Sequence, residues 1–352
     1  MVEEYDVIVV GSGPGGAMTA KKLAEKGINT LLIERKELPR PKICGGFVTN
    51  RITKIIKKEC GDIPLILCGR PRKLKGLQVK LLDREDFITF NDEMYNVWRS
   101  RFDFWLTMKA FDAGATILSS TLLIDFNIIR DRNEEFVEIT TRCKSETGAE
   151  YQLSKFRSKI LVGADGCTSF VRKRSYPKFQ PDYSLTSQEY WTGTSDLDPN
   201  YFYALMNPSL SDLYTSFHRK DYLLIATTSR NPKNIKPLMM KCYEYFEEAH
   251  GLKREKMIFK EACLTNLSGL KLDYRFGKGR IALIGDAAGL IDFGGEGIPS
   301  AIKSGLTCAE TISTIDLENP DDFQDKYQEN LRKLLRSLRR NITATSSLYG
   351  NI

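Results

Sequence analysis

Three short runs in this sequence put glycine beside an acid where a strand would end. The first is Gly11-Ser12-Gly13-Pro14-Gly15-Gly16, with Glu34 further on. The second is Gly163-Ala164-Asp165-Gly166 and the third is Gly285-Asp286. A glycine turn that opens a helix offers free backbone N–H groups and the positive end of a dipole, which suits phosphate. A carboxylate at a strand end can accept from sugar hydroxyls. The chemistry these residues suit is the holding of a nucleotide.

The elements that would position them are legible nearby. Tyr5-Asp6-Val7-Ile8-Val9-Val10 reads as a buried parallel strand. Ala17, Ala20, Leu23 and Ala24 recur at helical spacing, and Gly27 is placed to end that helix. The run from Ile28 to Ile33 is a second strand, closing in Glu34. Gly11 would make the tight turn, Gly13 would admit a pyrophosphate, and Gly16 would let helix and strand pack closely. Glu34 sits where a carboxylate takes both hydroxyls of an adenosine ribose, and a 2′-phosphate would meet like charge there. The site therefore fits FAD or NAD rather than NADP. Pro14, Gly15 and Arg35 complete this end of the cofactor set.

The two later acids favour FAD. A nicotinamide dehydrogenase with one nucleotide fold has no need of an Asp presented from a distant strand. FAD carries a ribitol chain, and Asp286 can accept from its hydroxyls. Either acid alone would read as an ordinary turn residue.

Gly11 to Gly16, Gly163-Ala164-Asp165-Gly166 and Gly285-Asp286 resemble the three flavin motifs of aromatic hydroxylases, flavin halogenases and geranylgeranyl reductases. Arg99-Ser100-Arg101-Phe102-Asp103 resembles a helix start whose Arg reaches the cofactor, which implies that role for Arg99. Lys42-Ile43-Cys44-Gly45-Gly46 resembles a loop of the geranylgeranyl reductase family that lies against the flavin. The resemblance places Cys44, Gly45 and Gly46 there, with Cys44 either a reactive thiol or a small loop residue. The run from Gly289 to Ile298 resembles that family's last flavin turn, but it lacks the proline and looks shortened. It implies a helix from about Pro299, whose N-terminus, with Gly297 and Ile298, faces the flavin. Tyr214-Thr215-Ser216-Phe217-His218 is the nearest counterpart of the family's substrate strand, without its Trp and Pro. Tyr214 and His218 join Cys44 as catalytic candidates, although a lone strand His is more often structural.

Composition bounds the rest. The chain has 352 residues, 41% hydrophobic and 28% charged, enough for two domains and a core. No signal peptide and no run long enough to span a bilayer are read, which predicts a cytoplasmic protein. Eight cysteines without paired spacing and two histidines predict reduced thiols and no bound metal. The net charge of +7 comes without a nucleic-acid motif, so no nucleic-acid partner is expected. The tail carries Lys326, Arg332, Lys333, Arg336, Arg339 and Arg340 against Leu331, Leu334, Leu335 and Leu338. That pattern suits either a helix lying on a lipid surface as a peripheral membrane contact, or one packed on the nucleotide domain.

The expected fold is α/β: a Rossmann-type FAD-binding domain, an inserted α+β substrate domain on a mostly antiparallel sheet, and a C-terminal helix. The FAD-binding domain would comprise 1–70, 95–175 and 272–315. The substrate domain would comprise 71–94 and 176–271, and the tail 316–352. The resemblance implies an FAD-dependent oxidoreductase reducing carbon–carbon double bonds of an isoprenoid or other hydrophobic substrate, with NAD(P)H or a ferredoxin as donor. The alternatives are a flavin monooxygenase or halogenase acting on a small aromatic, and a flavoprotein without activity. Trp98, Trp105 and Trp191 lack the spacing of a halogenase motif, and Gly289 stands where a hydroxylase usually has His.

Overall fold

The computed structural model describes residues 2–81, 86–131, 134–144, 151–211, 214–292 and 296–349. In chain order it begins with β1 (Glu3–Val10), α1 (Pro14–Glu25) and β2 (Thr30–Ile33). Then come β3 (Phe47–Thr49), α2 (Asn50–Cys60), β4 (Cys68–Leu74), β5 (Gly76–Leu81), β6 (Ile88–Phe90) and β7 (Met94–Val97). Next are α3 (Arg99–Asp112), β8 (Thr116–Leu118), β9 (Thr121–Asp131), β10 (Glu134–Lys144), β11 (Tyr151–Gly163) and α4 (Phe170–Ser175). The middle adds β12 (Tyr183–Thr194), β13 (Tyr201–Met206), β14 (Thr215–Lys220), β15 (Tyr222–Ser229), α5 (Ile235–His250) and β16 (Lys253–Asn266). The chain closes with β17 (Gly277–Lys278), β18 (Ile281–Leu283), α6 (Gly285–Ala288), α7 (Ile298–Ile312) and α8 (Phe323–Tyr349).

Two compact units result, one of residues 1–40, 103–181 and 266–352, the other of 41–102 and 182–265. The first is the Rossmann-type unit. Its sheet runs β17-β18-β11-β1-β2-β8, with β10 pairing β11 and β9 pairing β10. The ladder from β18 to β8 is parallel throughout. The apolar run of β1 explains why it is central: both faces are covered. Val7 and Val9 pack with Ala20 and Leu23 of α1 and Ala309 and Ile312 of α7. Ile8 and Val10 pack on the other side with Val137, Phe126 and Leu283.

The second unit is built on a seven-stranded sheet, β16-β12-β15-β14-β13-β5-β6. The ladders β12–β15, β15–β14, β14–β13 and β5–β6 are antiparallel, and β13 with β5 is parallel. Alternation in β15 sorts its faces. Leu223 and Ile225 meet Met239, Cys242 and Phe246 of α5, while Leu224 and Ala226 meet Tyr190 and Phe259. A small sheet, β3-β7-β4, belongs to the same unit.

The boundaries differ from those expected. Segments 41–70 and 95–102 were expected with the nucleotide fold and instead belong to the second unit, where β7 pairs with both β3 and β4 and β4 packs against β14. The tail is not separate. Phe323, Tyr327 and Leu331 of α8 sit in the core of the first unit, and Leu338 joins its other cluster. Leu334 and Leu335 pack against both. The leucines offered to lipid are therefore largely out of water already and have little to gain from a membrane. Arg332, Lys333, Arg336, Arg339 and Arg340 remain exposed. Among the described residues no helix is long and apolar enough to cross a membrane, and no cluster of His, Cys, Asp or Glu could hold a metal. None of the eight cysteines is in a disulfide.

Candidate functional site

Within the first unit, the end of β1 runs through Gly11 into α1, whose N-cap is Gly13 with no side chain capping it. A helix start left without a capping side chain is open to an anion. The space over Gly13 is open as well. A Cβ built there would meet only Nη2 of Arg40, at 3.8 Å. The cradle has the form a pyrophosphate requires.

Glu34 follows β2 and is 5% exposed. Its Oε2 accepts from the Ser12 backbone N–H at 3.1 Å, the Ser12 hydroxyl at 3.0 Å and Arg40 Nε at 2.9 Å. Its Oε1 accepts from the Lys36 backbone N–H at 3.1 Å. Oε1 thus keeps acceptor capacity for a ribose hydroxyl. Burial pushes this carboxyl up, but the Arg40 charge and the Lys36 and Ser12 donors outweigh burial and hold it below the ordinary range. Arg40 Nη1 also lies 3.4 Å from Asp103, so two buried carboxylates share one guanidinium. The trio keeps a net negative charge, which disfavours a 2′-phosphate. Arg40 and Asp103 escaped the sequence reading. Arg35, chosen for its place beside Glu34, is exposed.

Because Glu34 is held low, its contribution is complete above the ordinary carboxylate range. It is lost only as pH falls through that lowered value. FAD affinity of the native chain is therefore expected to stay flat between about pH 5 and pH 8. Arg40→Met removes the largest influence that opposes burial, leaving only the Lys36 and Ser12 donors, and so raises the carboxyl; its affinity is expected to weaken as pH falls over that window. Flavin-fluorescence titrations at several pH values check this, and parallel profiles for the two proteins would contradict it.

The second and third motifs meet in the same unit. Asp165 accepts from the backbone N–H groups of Phe170 at 2.6 Å and Val171 at 3.1 Å, so it caps α4. Burial, only partly opposed by the hydroxyl of Ser169 and these N–H groups, raises its carboxyl. Arg172, 1% exposed, donates to the carbonyls of Asp286 at 3.2 Å, Ala287 at 2.9 Å and Cys167. One guanidinium therefore ties the Asp-Gly turn to the Gly-Asp turn. Ser304 of α7 accepts from the Gly285 N–H at 3.0 Å. A Cβ on Gly297 would lie 2.9 Å from Asp286 Oδ1, which puts the start of α7 beside that carboxylate. The α7 N-terminus, at Gly297 and Ile298, also has no side-chain cap. Arg172 and Ser304 were missed. The expected shortened turn includes Phe293, Gly294 and Gly295, which lie outside the described residues.

In the second unit, Cys44, Gly45 and Gly46 form the loop before β3. The Gly46 N–H points at the Cys44 sulfur at 3.4 Å, and Val97 N–H donates to the Gly46 carbonyl at 2.8 Å. Burial raises the phenol of Tyr214, and nearby Cys44 and Cys263 add to the rise. Tyr190 is raised chiefly by burial, with Glu261 and Cys44 behind it. His218 is fully buried and edge-on to Phe47 at 4.9 Å, close to the Gly45 backbone. Burial, then the Lys220 charge, keeps it well below the usual histidine range, so it is neutral. A neutral ring sealed in this way suits a packing role. Arg99 opens α3 and is 7% exposed.

A family model described as FAD binding domain matches residues 4–336. The chain is 29% identical over 320 residues to the chloroplastic geranylgeranyl diphosphate reductase of Nicotiana tabacum, covering 87% of this chain and 65% of that one. Among solved structures, a geranylgeranyl bacteriochlorophyll reductase-like protein of Thermoplasma acidophilum superposes with a TM-score of 0.82 at 22% identity, over 99% of this chain and 89% of the other. A myxobacterial chondrochloren halogenase superposes with a TM-score of 0.72 at 18% identity, over 96% and 82%. At such identities these two likenesses speak for the fold.

Proposed function

This chain belongs to the FAD binding domain family and is an FAD-dependent oxidoreductase, and we propose that it reduces carbon–carbon double bonds of a prenyl lipid. The observation that carries this reading is the aromatic cluster packed on one face of the second unit's sheet. Tyr190 stacks on Phe259 at 3.9 Å and on Trp98 at 5.8 Å, with Tyr222 edge-on to Phe259. An aromatic cluster of this kind suits contact with an isoprenoid better than with a charged substrate. The likeness to the Nicotiana reductase supports the same class.

Saturating an alkene adds a hydride to one carbon and a proton to its neighbour. Bound FAD supplies the hydride in its reduced form. The chain's own residues hold the cofactor: Gly13 and the α1 start at the pyrophosphate, Glu34 at the adenosine ribose, and Asp286 at the ribitol. Asp165 is offered to the flavin end, and for Arg99 and the Cys44–Gly46 loop that role is what the family resemblance implies. Tyr214 stays protonated at neutral pH and is the proton donor we favour over His218, which is neutral and sealed. Cys44 is assigned to the wall of the site. The donor that reduces the flavin is NAD(P)H or a ferredoxin.

The rival reading is oxygen chemistry on a small aromatic, which the halogenase likeness keeps in view. An anaerobic experiment separates them. The bound flavin is reduced, and a geranylgeranyl lipid or an aromatic acid is added without air. Return of the oxidised flavin spectrum with the lipid alone, with a saturated product, is expected. Reoxidation only on admitting oxygen would contradict the proposal.

A further inference from the structure

The loop that carries Cys44 is held by a residue that neither motif nor composition singles out. Lys220 ends β14 and is 1% exposed. Its Nζ donates to the carbonyl of Gly45 and, at 2.8 Å, to the carbonyl of Val97 at the end of β7. Nζ also lies over the Trp98 ring at 5.4 Å. Trp98 is fixed in turn by donating to Asp221 at 2.8 Å. Gly46 turns over at φ +81°, and a side chain there would land on Nζ and on the Val97 oxygen. Loop, strand end and indole are therefore built around one amine.

We propose that Lys220 is the positioning residue of the Cys44–Gly46 loop, fastening it to β7 and β14 from beneath. The catalytic meaning of this fastening rests on the reading that the loop serves the flavin end. Every group in the fastening itself belongs to the chain.

Its dependence on pH follows from the surroundings. The groups acting on the amine are Cys44 in the loop, Arg99 at the start of α3, Asp221 after β14 and Cys68 in β4, with neutral His218 two residues back on the same strand face. Burial, the largest influence, brings the amine down to about 7, with Cys44, Asp221 and Cys68 pulling up and Arg99 pushing down. An open loop would let the amine hydrate and return to its ordinary value, about 10.5. Between those values the open form binds a proton that the closed form does not. Closure therefore strengthens as pH rises from about 7 to about 10 and is level below about 7.

The test uses the full FAD-bound chain and trypsin at short times. Cleavage after Lys42 reads the loop, and cleavage after exposed Lys36 corrects for the protease's own pH dependence. Lys220→Met is expected to raise the Lys42 to Lys36 ratio about tenfold or more, the effect of losing a hydrogen bond from a buried donor of this kind. In the native chain the ratio is expected to fall steadily from pH 7 to about pH 9.5, and in Lys220→Met it should be level. A simple packing role would produce no such slope. An unchanged ratio in the variant, or a level native profile, would overturn the proposal. Should Lys220→Met fail to fold, with cuts throughout, the native profile alone decides. Neither result depends on the substrate, so failure here and failure of the prenyl reading are separate outcomes.

Discussion

Gly13→Val is expected to leave a folded protein that no longer retains FAD, while Gly16→Ala is expected to damage the fold. The two glycines share a motif but not a physical task. Gly13 has φ −71° and ψ 176°, an extended conformation open to any residue. Its Cβ position is free but for Arg40 Nη2 at 3.8 Å. A Cβ there meets nothing closer than 3.8 Å, and a valine occupies the space a pyrophosphate needs. Affinity for FAD should drop by about a hundredfold or more, ~3 kcal/mol. At Gly16 a Cβ would land on the Gly11 carbonyl oxygen and 3.0 Å from the Ala164 Cβ. Both are held by the sheet and cannot give way, so α1 would have to lift. Overpacking against backbone of this kind costs about 3 kcal/mol or more. Urea denaturation and FAD titration of both variants check the pair. If Gly16→Ala kept full stability, or Gly13→Val kept its flavin, the division of roles would be wrong.

The second large effect belongs to Arg172. Its guanidinium satisfies carbonyls of Cys167, Asp286 and Ala287 at once, and it is 1% exposed. Arg172→Ala leaves those buried acceptors without it and opens a void between two turns. The expected loss is about 3–5 kcal/mol, since each abandoned buried acceptor costs ~1–3 kcal/mol. Arg172→Lys is expected to rescue little, because one ammonium cannot reach both directions that the planar fork spans. FAD binding should weaken in both variants, since Asp286 hangs on the tethered turn. Full stability in Arg172→Lys would show that charge alone suffices and would sink this account of the fork.

The sequence carried the local parts of this site well. Strand, glycine turn, helix and closing acid lie within 34 residues, and each has a short-range signature. The parallel pairing of β1 with β11 and of β11 with β18 follows from apolar runs that end in Asp165 and Asp286. The partners that tune these groups were hidden. Arg40 competes with Arg35 for nearness to Glu34 in sequence, and only the loop path decides between them. Arg172 could have been suspected, because it lies one helical turn past Ser169, which caps α4 under the Asp165 turn. Lys220 gave no sign, since a lysine at a strand end normally reaches water. The α8 leucines were ambiguous because an amphipathic stripe has the same period against a core as against lipid. The flavin assignment itself extends to FAD in the family match, while substrate and donor rest on chemistry outside any motif.

The central claim is that Glu34 holds the adenosine end of one FAD and Asp286 holds its ribitol. Titrating the cofactor-free protein with FAD and with FMN, which has no adenosine, tests it most directly. Glu34→Gln is predicted to weaken FAD by about tenfold or more and to leave FMN unchanged. Asp286→Ala is predicted to weaken both flavins by a similar factor. Equal effects of Glu34→Gln on both flavins, or an Asp286→Ala protein that binds FMN as the native chain does, would contradict the account.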